Sequence, residues 1–144
     1  MVLRGTYCLC IGVAADMEVR VGALGLLAFP RGRYVYVGSA LNSLEPRIIR
    51  HLRTSESAHH VTHWHIDYLL REHVVTLSHV YYTETDQKVE CLLASRVAEH
   101  GEPVKGFGCS DCKCSSHLYK VDHWGFLEKM DLKKWVKGSP QLPE

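Results

Sequence analysis

Two short motifs decide the fold of this chain: GTY at residues 5–7 and YVGSA at residues 36–40. Both lie in stretches rich in β-branched and aromatic residues, which favour strands. The run RIIRHLR at residues 47–53 follows, and its apolar side chains continue a helical spacing while arginines and a histidine occupy other positions. Two tyrosines on successive strands, followed by a helix with cationic donors, would form a site suited to phosphodiester chemistry.

The hydrophobic pattern around these motifs predicts the other elements. Strands are predicted at residues 5–13, 18–21, 26–29, 33–38, 74–82 and 117–121. Helices are predicted to begin near Glu45, to cover residues 64–71, to follow a cap at Thr85 or Asp86, and to cover residues 124–136. The segment between the two motifs, residues 14–33, is longer than a tight hairpin needs, so it predicts an extra hairpin beside the main sheet.

Length and composition predict one compact domain with its own core, because 46% of the 144 residues are hydrophobic. We assign this domain to residues 1–138 and a flexible tail to residues 139–144. The net charge of +1 excludes a strong attraction of the whole molecule to nucleic acid, so such binding depends on local clusters of charge. The N-terminus has no long apolar segment and no small-residue cleavage site, which predicts a cytoplasmic protein without membrane contact.

Each tyrosine has an ordinary structural interpretation when it is taken alone. Tyr7 or Tyr36 on a half-buried strand is more often a core residue than a catalytic one. Gly38 and Ser39 add a second observation, because a glycine that ends a strand permits close approach by a ligand or another element. Backbone N–H groups at the nearby helix start can also bind phosphate. The same glycine could simply turn the chain, so both interpretations stay open.

The helix that follows has the same two interpretations. A cationic face formed by Arg47, Arg50 and His51 is usually solvated or paired with acids. These residue types nevertheless suit phosphate cleavage, since an arginine fork binds nonbridging phosphate oxygens and a histidine can move a proton. Such a site also needs a carboxylate that holds a hydrated divalent cation, and Glu90 is the candidate. By itself, Glu90 is an ordinary helix glutamate.

The ordered combination of GTY, YVGSA, RIIRH and VECLLA resembles the GIY-YIG nuclease superfamily. This resemblance implies an α+β fold with a small, mainly antiparallel (mixed) sheet flanked by helices, to which the predicted elements add the extra hairpin and a C-terminal helix. It implies cleavage of phosphodiester bonds, in DNA rather than RNA, with Mg²⁺ or Mn²⁺ as the cofactor and a tyrosine as general base. The implied catalytic residues are Tyr7, Tyr36, Arg47, His51 and the metal-binding Glu90. We add candidate substrate-binding residues, namely Gly38, Ser39, Arg50, Arg53, His65 and Asp67.

A closer resemblance connects residues 5–118 to an uncharacterised prokaryotic branch of this superfamily, found alone or appended to endonuclease III-type repair glycosylases. The shared stretches are RYVYVGSA, RIIRHLR, HWHIDYLL, ECLLA and GFGCSDCKCSSHL. The resemblance implies a role in DNA repair and makes a repair glycosylase a candidate partner. Thr6 and Val37 replace isoleucines of the superfamily motifs, and both changes keep a β-branched strand residue.

Cys109, Cys112, Cys114 and His117 form a second group of candidate residues. Thiolate and imidazole ligands at such short separations can enclose zinc tetrahedrally, as a Cys₃His site does. The Cys-x-Cys step is tighter than the usual zinc-knuckle spacing, however, and no second paired half is present in the sequence. Bound zinc, and buried thiols beside a hydrogen-bonded histidine, therefore stay open as alternatives.

A third group combines histidines with one carboxylate, in the order His59, His60, His63, His65 and Asp67. This group could bind a metal, but its spacing is unspecific. We expect Trp64 to pack in the core, and His65 and Asp67 to organise a polar network beside the groove.

Three functions follow as hypotheses. The first is a metal-dependent endonuclease acting on DNA, and the second is a noncatalytic nucleic-acid-binding module that uses the same groove. The third is a zinc-stabilised protein-interaction domain. The position of Glu90 separates the first two, because an enzyme needs Glu90 to face Tyr7, Tyr36 and Arg47 across a solvent-open cleft.

Overall fold

The computed structural model describes residues 4–41, 43–57, 64–108 and 114–135. Within these residues the chain forms eight strands and three α-helices. The strands are β1 (Gly5–Val13), β2 (Met17–Arg20), β3 (Leu26–Phe29), β4 (Gly32–Ala40), β5 (Val75–Glu84), β6 (Gly101–Pro103), β7 (Leu118–Val121) and β8 (Lys133–Trp135). The helices are α1 (Leu44–Ser57), α2 (His65–Leu70) and α3 (Glu90–Ala98).

Six strands form one sheet in the order β6-β7-β4-β1-β5-β8, and β2 pairs with β3 in a separate two-stranded sheet. The predicted α+β fold is therefore confirmed. The β2–β3 pair is the extra hairpin expected in residues 14–33. Among the described residues every strand pair is antiparallel, so the parallel component of a mixed sheet is not found there.

Strand β1 lies in the middle of the sheet because both of its edges are paired, one with β4 and the other with β5. The β1–β4 register sets Tyr7 opposite Gly38 and Leu9 opposite Tyr36. The two sequence motifs that decide the fold are therefore neighbours in space.

Alternation of side chains along β1 gives the sheet two buried faces. Tyr7 and Leu9 belong to a core that includes the apolar residues of α1 and α2, whereas Cys8 and Cys10 belong to a core beneath α3. The helices α1 and α3 consequently lie on opposite faces of the sheet. Side chains from the two helices meet at Ser39, near the end of β4.

The prediction of a helix at residues 124–136 is wrong. The described residues of this segment form a 3₁₀ turn at Gly125–Lys129, followed by strand β8. The strand is favoured because β8 hydrogen-bonds along β5, while Trp135 is buried with its ring against Tyr82. Asp131, between the turn and the strand, has a φ of 59°, a left-handed conformation that no α-helix contains.

The helix α3 begins later than its predicted cap. Val89 precedes the first helical residue, Glu90, and provides no side-chain hydrogen bond to the helix start. Thr85 instead accepts a hydrogen bond from the backbone N–H of Gln87 in the preceding turn. The described part of the chain contains no helix long and apolar enough to cross a membrane.

Candidate functional site

The ring of Tyr7 lies over Gly38 of the neighbouring strand. A Cβ atom on Gly38 would be 2.6 Å from both Cζ and Oη of Tyr7, a distance that real contacts essentially never show. The absent side chain is therefore what allows Tyr7 to adopt this position. The space above Gly38 is thus occupied by Tyr7 of the neighbouring strand β1.

Tyr7 and His51 form a buried hydrogen-bonded pair. Tyr7 Oη lies 2.8 Å from His51 Nε2, and the two residues are 2% and 1% exposed. His51 Nδ1 is buried and has no hydrogen-bond partner in the described structure. The direction of the Tyr7–His51 bond follows the tautomer of the imidazole: a protonated Nε2 donates to the phenol oxygen, whereas an unprotonated Nε2 accepts from the phenol O–H.

Burial sets the protonation state of both partners. It raises the pKa of Tyr7 to about 12, while Arg47 acts in the opposite direction and Glu90 and Asp67 raise the pKa further. Burial also lowers the pKa of His51 to about 3; Asp67 opposes this shift and the α1 arginines add to it. Both side chains are therefore neutral at neutral pH.

Ser39 joins Glu90 to Arg47. Its hydroxyl donates to Glu90 Oε1 at 2.7 Å, and its carbonyl oxygen accepts from Arg47 Nη1 at 3.1 Å. The second carboxylate oxygen, Glu90 Oε2, lies 3.4 Å from Nδ1 of His117. One strand residue thus fixes a carboxylate from α3 and a guanidinium from α1, and the Glu90 side chain remains 16% exposed.

Tyr36 completes the set of predicted catalytic residues, although it is only 8% exposed. Its ring packs edge-on against Phe107, with the ring centroids 6.1 Å apart. A Cβ on Gly108 would lie 3.2 Å from Tyr36 Cε1, so the loop runs close over the ring. Burial raises the pKa of Tyr36 well above its usual value, and its electrostatic interactions with Tyr7 and Glu90 raise it further.

The structure brings Tyr7, Tyr36, Arg47, His51 and Glu90 into one neighbourhood. Glu90 and Arg47 come from helices on opposite faces of the sheet and are linked through their bonds to Ser39. The tyrosine rings are largely closed off from solvent, however, so the phenols do not line an open cleft. The solvent-accessible part of the site consists of the carboxylate and the guanidinium groups. The catalytic roles of these residues stay a prediction.

Trp64 supports the two arginines of α1. The guanidinium carbons of Arg47 and Arg50 lie 4.4 and 4.3 Å from the centre of its ring. Arg50 also forms two hydrogen bonds to the fully buried carboxylate of Asp67, at 3.0 and 3.1 Å, and that carboxylate accepts from the Trp64 backbone N–H. Asp67 and Arg50 thus form an ion pair with two hydrogen bonds. Sequence reasoning placed Trp64 in the core and missed its cation–π role.

The remaining predicted substrate-binding residues separate into two environments. Arg53 is exposed and, with Arg50, lines a surface depression of about 620 Å³ along α1. His65 instead accepts a hydrogen bond at Nδ1 from the backbone N–H of Gly108 at 2.8 Å, and its ring packs on Phe107. His65 therefore fixes the loop that covers Tyr36. Burial lowers the pKa of His65, which keeps Nδ1 available as an acceptor.

A group of three residues beside Glu90 could hold a metal ion. One ligand atom each from Cys91, Cys114 and His117 lies within 4.8 Å of the others. Cys109 and Cys112, predicted with them, lie outside the described residues, as do His59, His60 and His63. Sequence reasoning missed Cys91, because it is far from the other cysteines of the group in the chain. The only local feature that could have indicated Cys91 as a candidate ligand is its position directly after Glu90.

A family model described as "Domain of unknown function DUF123" matches residues 6–135 of the chain. No curated protein and no solved structure matches it. The matched region extends from β1 to β8 and includes every residue of the site described above.

Proposed function

The chain belongs to the family described as Domain of unknown function DUF123, and we propose that it is a metal-dependent endonuclease that hydrolyses phosphodiester bonds in DNA. The observation that carries this proposal is the junction at Ser39, which joins Glu90 to Arg47. Arg47 also interacts with Tyr7, which is paired with His51. The resemblance of the motifs to GIY-YIG nucleases is a second, independent support.

Arg47 would bind the scissile phosphate. Its guanidinium is held by Ser39 and by the face of Trp64, so its direction is fixed before substrate arrives. A guanidinium has five N–H donors, of which one binds the Ser39 carbonyl oxygen and another interacts with Tyr7. The others can bind nonbridging oxygens and stabilise the negative charge that develops in the transition state.

Tyr7 would orient the attacking water as a neutral phenol. With a Tyr7 pKa of about 12 and a His51 pKa of about 3, proton transfer from the phenol to the imidazole is strongly unfavourable in the buried pair. Tyr7 therefore differs from a preformed tyrosinate base. Its oxygen is held by His51 and is buried, so contact with water or a phosphate oxygen requires the site to open.

Glu90 would hold the divalent ion. The donor set fits Mg²⁺ or Mn²⁺, because hard cations of this kind are commonly bound by one or two carboxylates together with water and substrate phosphates. Ser39 fixes one carboxylate oxygen, and the side chain remains partly accessible. When bound, the ion would lower the pKa of water and offset the charge on the leaving oxygen.

A second candidate is a noncatalytic nucleic-acid-binding module. The burial of Tyr7 and Tyr36 favours it, because phenols that solvent cannot reach need a rearrangement before they touch a substrate. The arginine side chains on α1 would then bind the phosphate backbone without cleaving it.

One assay tests the proposal. The purified chain is incubated with labelled single-stranded, duplex and branched DNA and with RNA, in Mg²⁺, Mn²⁺ or a chelator. Arg47→Ala and Glu90→Ala are compared with Arg96→Ala and Glu99→Ala, whose side chains are exposed near the other end of α3. We expect metal-dependent cleavage of DNA by the parent and by the two controls only. Binding without cleavage would support the second candidate, and cleavage by all variants alike would refute the proposed site.

A further inference from the structure

His117 faces a different chemical group from each of its two ring nitrogens. Its Nδ1 lies 3.4 Å from Glu90 Oε2, whereas its Nε2 lies 3.9 Å from the sulfur of Cys91. The side chain is 3% exposed, and the backbone is fixed on both sides, since the His117 N–H donates to the Phe107 carbonyl and the His117 carbonyl accepts from the Val37 N–H. The imidazole is therefore held with one nitrogen directed at a carboxylate and the other at a thiol.

The spacing of the ligand atoms suits a tetrahedral ion. Zinc bonds of about 2.3 Å to sulfur and about 2.0 Å to nitrogen at the tetrahedral angle place two such ligand atoms about 3.5 Å apart. The Cys91–His117 distance of 3.9 Å needs a movement of only a few tenths of an ångström to reach this value. The ligand atom of Cys114 lies in the same cluster, within 4.8 Å of the other two.

We propose that Cys91, Cys114 and His117 bind one thiolate-preferring divalent ion of the zinc class, and that Glu90 orients His117 from the opposite ring nitrogen. Two sulfurs and an imidazole are a soft ligand set, which selects zinc over the magnesium-like ions that prefer oxygen. A metal-bound histidine usually donates its other N–H to a carboxylate, which fixes the ring and strengthens the metal bond. Glu90 is in position for this role.

The proposed centre differs from the ligand set suggested by the sequence alone. Cys91 lies in the first turn of α3, whereas Cys114 and His117 precede β7, so the ion would connect the helix to the sheet. It would also restrain His117, the second polar neighbour of Glu90 after Ser39. This inference does not depend on nuclease activity, since it concerns metal binding by the free protein.

The test is a metal titration of the full chain, purified without added metal and stripped with a chelator. Cobalt(II) is the probe, because thiolate-to-cobalt charge-transfer absorption reports sulfur ligands directly, and zinc is then added in competition. We expect one equivalent of cobalt with thiolate absorption and tetrahedral ligand-field bands, all displaced by zinc. Absence of thiolate absorption would overturn the proposal.

Two variants test the individual ligands. Cys91→Ser should lose a large part of the charge-transfer absorption and bind zinc more weakly; Cys91 is exposed, so its substitution leaves the core intact. Ser95→Ala, an exposed change one turn further along α3, is the control and should bind as the parent does. Unchanged binding by Cys91→Ser would overturn the assignment of Cys91, even if the chain still bound zinc through other cysteines.

A second pair of variants tests Glu90. Loss of a carboxylate that orients a ligating histidine weakens metal binding by about 10–100-fold, which is the expectation for Glu90→Ala. Glu90→Gln keeps an oxygen that accepts from Nδ1–H and should retain most of the affinity. Equal zinc affinities for the parent and Glu90→Ala would overturn the orienting role, whatever the effect of either change on DNA cleavage.

Discussion

Tyr7 occupies the volume that any side chain on Gly38 would need. The ring lies 2.6 Å from the position of a Cβ on that glycine, so the two residues form one packing unit across β1 and β4. This unit determines where the phenolic oxygen meets His51.

Gly38→Ala should therefore displace Tyr7 and destabilise the fold by about 1–3 kcal/mol, the usual cost of overpacking a core. Gly12→Ala is the matched control. It also lies in a strand of the main sheet, and its added Cβ would meet no atom within 4 Å. We expect Gly12→Ala to be neutral or slightly stabilising, because alanine restricts the unfolded chain. Chemical denaturation measures both, and equal stabilities of the two variants would contradict the packing described here.

The buried His51 should make stability depend on pH. Burial lowers its pKa from about 6.5 in the unfolded chain to about 3 in the folded one, so its contribution is complete above about pH 6.5 and is lost as the pH falls towards 3. Between about pH 7.5 and about pH 5 the parent should lose about 2 kcal/mol more unfolding free energy than His51→Gln. His73→Gln, an exposed substitution, controls for the removal of a histidine. The prediction is wrong if the parent and His51→Gln lose stability in parallel.

The buried carboxylate of Asp67 should be important for stability. It accepts two bonds from Arg50 and one from the Trp64 backbone, and it is fully buried. Asp67→Asn should cost about 2 kcal/mol, less than for a fully buried ion pair because the Arg50 side chain is 31% exposed. Glu84→Gln is the comparison, since its pair with Lys133 is exposed and its loss should change the thermal midpoint little. Similar midpoints for the two variants would contradict a structural role of Asp67.

Arg47 should not be replaceable by lysine. The guanidinium binds the Ser39 carbonyl, stacks on Trp64 and has further donors for phosphate, whereas an ammonium cannot form a planar fork. We expect Arg47→Lys to lower the rate of DNA cleavage by about 100-fold, comparable to the loss of one transition-state donor. Arg96→Lys, an exposed substitution near the end of α3, is the control and should change the rate by less than about threefold. Equal rates for the two variants would exclude a forked contact at Arg47.

The elements that could be predicted from the sequence are those in which buried side chains recur at a regular spacing. Strand β1 was predicted with its observed bounds, because its residues alternate between the two cores without interruption. The helical interpretation of residues 124–136 failed because an apolar pattern can pack as a helix or as an edge strand, and pairing with β5 decides between them. Strand β6 (Gly101–Pro103) was missed, because a Gly-Glu-Pro segment has little β propensity and is extended only through its pairing with β7.

From the sequence, only the residues that belong to the ordered motifs could be assigned to the candidate site. Arg47 and Glu90 were selected by their order relative to the tyrosines, and the structure brings both to Ser39. The roles of Trp64 and Cys91 depend on contacts between segments that are distant in the chain. Neither a tryptophan beside a histidine cluster nor one cysteine at a helix start signals such contacts locally.

The role of Glu90 in cleavage is tested by comparing the parent with Glu90→Gln in one experiment, which measures single-turnover cleavage of DNA and DNA affinity on the same sample in Mg²⁺ or Mn²⁺. Glutamine can keep the contact with Ser39, since the serine hydroxyl can accept from the amide NH₂, but it removes the charge that would hold the ion. We predict that cleavage falls by about 100-fold or more while DNA affinity changes by less than about threefold. Cleavage by Glu90→Gln at the rate of the parent would contradict the account.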